Sequence, residues 1–223
     1  MTCVTMYDDV NVSLLPANTA VAGGYIGGNW LNAGEVRHKF PRAKVINIAI
    51  SASEDGDCLD VENGDAMNAQ APGWFKKREG HTLTPKPWLY TSAGDIAALV
   101  ATMQRAGVAR NRYYIWSAHY TYQAHICSPK ACGYPVADGT QWTDKSGGKN
   151  LDQSLVNTYM LPGSTSAANK PAPVPAPAKK PAPEPNVTPI ISALNTAGRK
   201  TKPHSPMWWR IHNAVLALLG RKK

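Results

Sequence analysis

The 223-residue sequence lacks any apolar run that approaches the roughly 20 residues needed to span a membrane as a helix. Near residue 1 it also lacks a basic segment followed by an apolar run, the pattern of a secretion signal, because Asp8 and Asp9 interrupt that region. We therefore expect a protein made in the cytoplasm without a signal peptide. If it acts outside the cytoplasm, another factor must release it.

Net charge is absent from the first part of the chain and concentrated in the rest. Residues 1–162 contain 14 Lys and Arg and 14 Asp and Glu, whereas residues 163–223 contain ten Lys and Arg and a single acid, Glu184. A nucleic-acid groove needs a basic surface on the folded part, so we expect no nucleic-acid partner. The basic tail instead favours binding to an anionic surface.

Cysteine is scarce, with four residues in the chain. Cys127 and Cys132 are separated by four residues and could close a small disulfide loop, so we predict that they lie close enough for a disulfide. Cys3 and Cys58 lie in apolar, strand-like contexts that are typical of buried thiols. His125 lies near the first pair, but a lone C-x4-C without a second pair at zinc spacing does not favour a metal site. We expect no metal and no cofactor.

Strand-like and helix-like segments alternate along the first 162 residues. Helices are predicted at 71–79 and at 92–106, where Ile96, Leu99, Val100 and Met103 recur at helical spacing. The predicted strands are 4–7, 20–26, 45–52, 58–61, 88–91, 113–118, 139–142 and 151–156. This alternation predicts an α/β fold with parallel strands, and eight strands allow a (β/α) barrel. Connections such as 13–19 are too short for a helix, so we expect a compressed or irregular TIM-like barrel.

The last 61 residues differ in composition from this predicted barrel domain (1–162). Segment 163–204 is rich in Pro and Ala and predicts an extended or flexible linker. Segment 205–223 predicts a short amphipathic helix, with Trp208 and Trp209 near its start and basic residues at its end. Such a helix could lie at a membrane interface, or it could dock on its own domain or on a partner.

Two acids follow the buried strand pattern of residues 45–52. Asp60 and Glu62 are two residues apart, so on a strand their carboxyl groups lie side by side. Two such groups cannot ionise independently, and one is pushed toward the neutral acid. A glycosidase needs one carboxyl group to donate a proton and another to stabilise positive charge. The simpler alternative is an acidic loop with a capping Asp.

The order of motifs over residues 1–161 resembles that of the glycoside hydrolase family 25 lysozymes, including phage lysins and actinobacterial hydrolase-like proteins. The resemblance is carried by Met6-Tyr7-Asp8, Asp60-Val61-Glu62, Pro87-Trp88-Leu89-Tyr90-Thr91-Ser92, Tyr114-Ile115-Trp116-Ser117-Ala118-His119-Tyr120, Gly139-Thr140-Gln141-Trp142-Thr143 and Asn150-Leu151-Asp152. One departure lies in the last motif, where Leu151-Asp152-Gln153 replaces the expected Asp-Leu-Asn. The resemblance implies a (β/α) barrel that cleaves the β-1,4 bond after N-acetylmuramic acid in peptidoglycan.

The same resemblance assigns roles to individual residues. Glu62 would be the general acid, and Asp60 would stabilise charge or orient the substrate's acetamido group. Asp8 and Asp152 would complete an acidic floor. The substrate-binding residues would be Tyr90, Trp116, Tyr120, Gln141 and Trp142. Core packing is the alternative for each aromatic and is favoured for Trp116, and a structural or surface role is favoured for His119 and His125.

The function that follows from the resemblance is an endolysin-like muramidase. It would act at the cell wall after release from a bacterial host, with peptidoglycan as its partner and the basic tail on an anionic membrane or envelope. The alternative is a non-catalytic glycan-binding or virion-associated protein on a hydrolase-like barrel.

Overall fold

A closed barrel of eight strands in sequence order forms the centre of the protein in the computed structural model, which describes residues 2–164. The strands are β1 (Cys3–Asp8), β2 (Val21–Tyr25), β3 (Lys44–Ala49), β4 (Cys58–Asp60), β5 (Trp88–Ser92), β6 (Tyr114–Ala118), β7 (Gly139–Thr143) and β8 (Asp152–Asn157). Each of the eight predicted strand segments overlaps one of them.

Helices cover only some of the connections between strands. The α-helices are α1 (Ala33–Lys39), α2 (Ala71–Arg78), α3 (Ile96–Arg105) and α4 (Pro129–Cys132), and single 3₁₀ turns occupy Val12–Leu14, Gly28–Trp30, Arg110–Arg112, Ser146–Gly148 and Thr158–Met160. The β1–β2 connection has only a 3₁₀ turn, as its length predicted. The predicted helix 92–106 is shorter at its start, because Ser92 ends β5 and its hydroxyl accepts the amide of Asp95 in the turn that follows.

The barrel is mixed rather than wholly parallel, which corrects the predicted parallel pairing. Strands β1 to β7 pair in parallel with their neighbours in sequence. Strand β8 runs antiparallel to both β7 and β1 and closes the barrel. The segment between Thr143 and Asp152 is shorter than the dozen or so residues that a parallel crossover usually takes. After it the chain turns back and runs down the barrel.

Apolar side chains fill the barrel interior and the layer between barrel and helices. The interior contains Met6, Ile46, Trp88 and Trp116, all almost fully buried. Helices α2 and α3 pack on the outside through residues that repeat at helical spacing, namely Trp74, Phe75, Ile96, Leu99 and Met103. The interior is thus closed by packing.

Two sequence predictions lie beyond this part of the chain. The predicted linker, apart from Gly163 and Ser164, and the predicted helix 205–223 are outside the described residues. Within residues 2–164, no helix is long and apolar enough to cross a membrane.

Candidate active site

A pocket of about 220 Å³ opens at the end of the barrel where the parallel strands terminate. Its walls consist of acids, aromatics, one amide and one aliphatic side chain. They are Asp8, Tyr25, Ile48, Asp60, Glu62, Asp65, Tyr90, Trp116, Tyr120, Gln141 and Asp152. The structure therefore brings together the four predicted catalytic acids and four of the five predicted substrate-binding residues.

The strand pattern explains why the acids meet. Asp8 is the last residue of β1 and Asp60 the last of β4, and carboxyl ends of parallel strands share one face of a barrel. Asp152 begins β8, which runs the other way, so its first residue reaches the same face. Asp8 and Asp152 are direct partners across the antiparallel pair, which puts their side chains next to each other. Glu62 follows two residues beyond the end of β4.

A buried carboxyl oxygen without a hydrogen-bond partner distinguishes two of these acids from an ordinary structural carboxylate. Asp8 and Asp60 are buried, and each has one carboxyl oxygen without a hydrogen-bond partner among residues 2–164. Asp57, only three residues before Asp60, is also buried, but its Oδ2 accepts from the Asn47 amide (3.0 Å) and its Oδ1 from the Leu83 amide (2.6 Å). A buried carboxyl oxygen without a partner costs stability. Asp8 and Asp60 thus carry a cost that packing alone does not explain.

Burial also makes the two deep acids hard to ionise. It raises the pKa of Asp60 to about 8, with smaller contributions from Glu62 and Asp65. The pKa of Asp8 is raised well above its ordinary value, first by burial and then by the charges of Asp152, Asp60 and Asp9. At neutral pH, Asp60 is therefore mostly a neutral acid that can donate a hydrogen bond.

The two shallower acids are perturbed less. Burial raises the pKa of Asp152 to about 6, and the neighbouring Asp9 adds to the effect. Burial, Asp65 and Asp95 raise the pKa of Glu62. Both side chains are half-buried, so they can reach a ligand in the pocket. One pocket thus holds a mostly neutral acid beside a mostly ionised one at neutral pH, which acid–base chemistry requires.

The inner aromatic residues mainly build the wall. The ring centroids of Tyr90 and Trp116 are 4.4 Å apart. The Tyr90 hydroxyl donates to the Gln141 side-chain oxygen, and the Trp116 indole donates to Ser154 Oγ (3.0 Å). With only 1% of its surface exposed, Trp116 offers no face to a sugar, in line with the core-packing alternative.

The outer aromatic residues differ from each other. Tyr120 lies at the rim with 44% of its surface exposed, so its ring is available for stacking. Trp142 does not line the pocket, which corrects its predicted place there. Trp142 directly follows Gln141 on β7, and successive side chains of a strand point to opposite faces, so with Gln141 in the pocket Trp142 points away from it. The β7–β8 register shifts between Gln141 and Thr143, where Trp142 is the extra residue of a bulge.

Three pocket residues were absent from the sequence-based set, namely Tyr25, Ile48 and Asp65. Tyr25 is the last residue of β2, at the same strand ends as Asp8 and Asp60, and this position was the available signal. Asp65 lies three residues after Glu62 in a loop, where no periodic pattern marks it. Its charge contributes to the raised pKa of both Asp60 and Glu62.

A second, more open groove of about 200 Å³ adjoins Glu62 on another side. It is lined by Val61, Glu62, Asn63, Ala66, Met67, Asn68, Thr91 and Asp95. Glu62 lines both this groove and the acidic pocket. Glu62 is thus shared by two neighbouring concave sites.

Cys127 and Cys132 are both free thiols, and their sulfur atoms lie within 4.8 Å of each other without a bond between them. Cys132 lies in α4, and its thiol donates to the Ser128 carbonyl of the same turn (3.5 Å). The Cys127 sulfur is 3.5 Å from a ring nitrogen of His119 and 3.5 Å from one of His125. Each sulfur is thus engaged with other groups.

No protein-family model and no curated protein matches this chain. It is similar to a protein of uncharacterized function from B. stearothermophilus, with 14% identity and a TM-score of 0.46 over 70% of this chain and 99% of that one. It is also similar to a family GH25 lysozyme from Aspergillus fumigatus, with 13% identity and a TM-score of 0.44 over 70% of this chain and 94% of that one. Similarity at this level is too low to carry an activity from either protein to this chain.

Proposed function

We propose that the barrel is a glycoside hydrolase that cleaves the β-1,4 bond after N-acetylmuramic acid in peptidoglycan, as an endolysin-like muramidase does. The observation that supports this most is the meeting of Asp8, Asp60, Glu62 and Asp152 in one pocket. Two of these acids are buried with an oxygen that lacks a partner among residues 2–164. Such unpaired oxygens destabilise the folded protein, and a bound ligand that donates a hydrogen bond to them can remove that penalty.

Glu62 is the proposed general acid. It is half-buried between the acidic pocket and the adjoining groove, so a glycosidic oxygen joining two sugars would lie beside it. Burial and two neighbouring acids raise its pKa, which favours the protonated form. A protonated carboxyl group in this position can give its proton to the leaving oxygen.

Asp60 and Asp152 take complementary roles in this proposal. With a pKa of about 8, Asp60 is mostly neutral in the free protein near pH 7, so it is poorly suited to stabilise positive charge. It is better suited to hold the substrate's acetamido group, accepting from the amide N–H through its carbonyl oxygen. Asp152, with a pKa of about 6, is mostly ionised and supplies the negative charge. Asp8 forms the floor beneath both.

Tyr120 is the proposed platform for a sugar ring at the pocket rim, because it is the exposed aromatic there. Tyr90 and Gln141 would fix the sugar's position from inside, through the hydroxyl and amide that already bond to each other. Peptidoglycan is the proposed partner of this site. The basic segment 205–223 is proposed to bind an anionic membrane or envelope surface once the protein has been released from the host cytoplasm.

The test is digestion of purified peptidoglycan by the wild type and by Glu62→Gln, with products identified by mass spectrometry. The Gln variant keeps the shape of the side chain and removes its titrating proton. We expect the wild type to release muropeptides with muramic acid at the reducing end, and the variant to be slower by about 10²–10⁴-fold. Glu35→Gln is the matched control, since Glu35 is exposed on α1 and does not line the pocket.

Equal product release by the wild type and by Glu62→Gln would refute the role of Glu62. A wild type that sediments with peptidoglycan but releases no products would instead support the glycan-binding alternative. That alternative needs the same pocket, so substitution of Tyr120 by Ala should weaken sedimentation in either case.

A further inference from the structure

The long connection between β6 and β7, residues 119–138, contains a cluster of histidines and cysteines apart from the acidic pocket. Its members are His119, His125, Cys127 and Cys132. Each offers one nitrogen or sulfur, and these four atoms all lie within 4.8 Å of one another. Cys127 is buried and the other three are half-buried, so the cluster is inside the loop rather than spread over its surface.

The distances among the Cys127, His119 and His125 ligand atoms are close to those around a tetrahedral ion. The Cys127 sulfur is 3.5 Å from His119 Nδ1 and 3.5 Å from His125 Nε2. Zinc bonds of about 2.3 Å to sulfur and about 2.0 Å to nitrogen, at tetrahedral angles, place sulfur and nitrogen about 3.5 Å apart. The two ring nitrogens are 2.9 Å apart, against about 3.3 Å in the same geometry. An ion would need the rings to separate by only a few tenths of an ångström.

The surrounding hydrogen bonds prepare His125 as a ligand. Its Nδ1 lies 2.8 Å from the Gln123 carbonyl oxygen, which can only accept, so Nδ1 carries the proton. Nε2 then has a free lone pair, and it is this nitrogen that faces Cys127 and His119. A backbone carbonyl on the outer nitrogen is the usual partner of a metal-binding histidine.

Hydrogen bonds to the barrel and within the loop fix the positions of the other three ligands. The His119 amide donates to the Gln141 carbonyl (2.9 Å), and the Cys127 amide donates to Thr140 Oγ1 (2.9 Å). Both acceptors belong to β7. Cys132 comes from α4, whose first turn is capped by the Ser128 hydroxyl at the Ala131 amide (3.1 Å). Two ligands are thus tied to a strand, and the third is set by a capped turn.

We propose that His119, His125, Cys127 and Cys132 bind one Zn²⁺ ion as a structural site that holds the β6–β7 loop together. Two thiolates and two imidazoles in a tetrahedral arrangement suit zinc, and the protein fills all four positions, as in structural rather than catalytic zinc sites. A loop of this length with a single four-residue helix has little internal structure to hold it otherwise. The ion would also fix the pocket rim, because Tyr120 directly follows His119.

The site is tested with the tag-free full chain, purified under reducing conditions and analysed for metal. We expect about one zinc per chain. After zinc is removed with a chelator, Co²⁺ should bind in the same ratio and give the absorption of a tetrahedral thiolate complex. Cys132→Ser and His125→Ala change half-buried side chains and should each weaken Co²⁺ binding by more than about 100-fold, beyond the loss typical of an outer-shell change.

Matched controls separate this site from nonspecific binding. Cys3→Ser and His81→Ala remove a thiol and an imidazole outside the cluster and should leave Co²⁺ affinity unchanged. The unfolding temperature of the wild type and of both controls should rise as zinc is added, whereas that of Cys132→Ser should not. Because metal binding is also measured on the wild type alone, the proposal can be tested even if a variant misfolds.

Three results would overturn the proposal. The first is a fully reduced wild type that binds neither Zn²⁺ nor Co²⁺. The second is Co²⁺ binding by Cys132→Ser with unchanged affinity and spectrum. The third is a Cys127–Cys132 disulfide already formed in protein taken from a reducing cytoplasm, since that bond would remove both thiolates.

Discussion

Asp57 and Asp60 lie three residues apart and are both buried, yet their carboxyl groups are in different surroundings. Both oxygens of Asp57 accept hydrogen bonds, including those from the Asn47 and Leu83 amides. Asp60 keeps one oxygen without a partner among residues 2–164, and burial raises its pKa to about 8. Asp57 therefore stabilises the fold, whereas Asp60 destabilises it when ionised. This difference in stability can be measured.

We predict that Asp60→Asn becomes more stable relative to the wild type as pH rises. An unfolded Asp loses its proton near pH 4, whereas folded Asp60 retains it up to about pH 8. Between these values the folded state binds more protons, so the wild type's free energy of unfolding falls with rising pH and levels off above about pH 8. Asn cannot ionise, so the variant lacks this loss, which integrates to about 5 kcal/mol between pH 4 and pH 8.

The measurement is urea unfolding of both proteins at a series of pH values between 4 and 9. Asp55→Asn is the control, because the Asp55 side chain is 80% exposed and its change should alter stability by less than about 0.5 kcal/mol at every pH. A variant that is destabilised equally at pH 5 and pH 8 would contradict the raised pKa of Asp60.

Residues at strand ends were the predictable part of the site. Asp8 and Asp60 could be placed because a buried strand followed by an acid is visible in the sequence. Trp142 could be excluded once Gln141 was placed, because it directly follows Gln141 and adjacent side chains of a strand point to opposite faces. Asp65 lies in a loop whose path is set by the fold around it, and the sequence alone gives no signal for its position.

At the level of strands and helices, Gly23 and Gly73 allow a comparison of a crowded glycine with an uncrowded one. Gly23 lies in β2, and a Cβ added there would be 2.7 Å from Ile48 Cδ1 and 2.9 Å from Asp8 Cβ. Gly73 lies in α2, where an added Cβ would meet nothing within 4 Å. The missing side chain at Gly23 leaves room for the side chains of Ile48 on β3 and Asp8 on β1, whereas Gly73 has no neighbour that needs such room.

We predict that Gly23→Ala destabilises the protein by about 1–3 kcal/mol, because the added methyl group overpacks the interior. Gly73→Ala should stabilise it by about 0.5–1 kcal/mol, since alanine loses less backbone freedom in a helix. Chemical denaturation of the two variants beside the wild type measures both effects. Equal changes of the same sign would show that Gly23 is not a close contact.

Strand direction was harder to predict than strand position. Alternating strands and helices predicted parallel pairing, which holds for β1 to β7. The short β7–β8 connection argues for an antiparallel return, but the β3–β4 connection is equally short and its strands are parallel. There, β4 has three residues and pairs only with the end of β3, so the chain need not travel back along the barrel. Connection length alone therefore does not decide direction.

Helix α1 was missed, and the histidine–cysteine cluster was set aside as a metal site, for the same physical reason. Helix α1 has seven residues and buries only Ala33 and Val36, too few positions to establish a helical period. The cluster joins residues at irregular spacing, and the turn that brings His119 next to Cys127 exists only in the folded loop. Short or irregular elements take their shape from tertiary contacts.

Across the whole molecule, the net positive charge lies in one part of the chain. Residues 1–162 are balanced, with 14 basic and 14 acidic residues, whereas residues 163–223 contain ten basic residues and one acid. The barrel closes on itself through the β8–β1 pair, within the part of the chain that carries no net charge. Long-range attraction to an anionic surface must therefore come from the tail.

We predict that a protein truncated after Ser164 keeps its activity on soluble glycan fragments and loses most of its binding to anionic liposomes at low salt. The cut is placed there because Ser164 bonds to the barrel domain through its amide to Leu161 and through its hydroxyl to Thr158. Each basic residue near an anionic surface contributes about 1 kcal/mol, and salt screens this attraction. Trp208 and Trp209 would add interfacial contacts that salt does not remove.

Liposome sedimentation over a range of salt concentrations separates these contributions. The full chain should bind strongly at low salt and retain a weaker part at high salt, and a variant with Trp208 and Trp209 changed to Ala should lose only the second part. Neutral liposomes serve as the control surface, because they remove the electrostatic attraction and leave the tryptophan contacts. If the truncated protein binds anionic liposomes as well as the full chain does, the tail is not the membrane-binding element. If the truncated protein unfolds, residues beyond Ser164 belong to the core, and the division of the molecule into a neutral barrel and a basic tail is wrong.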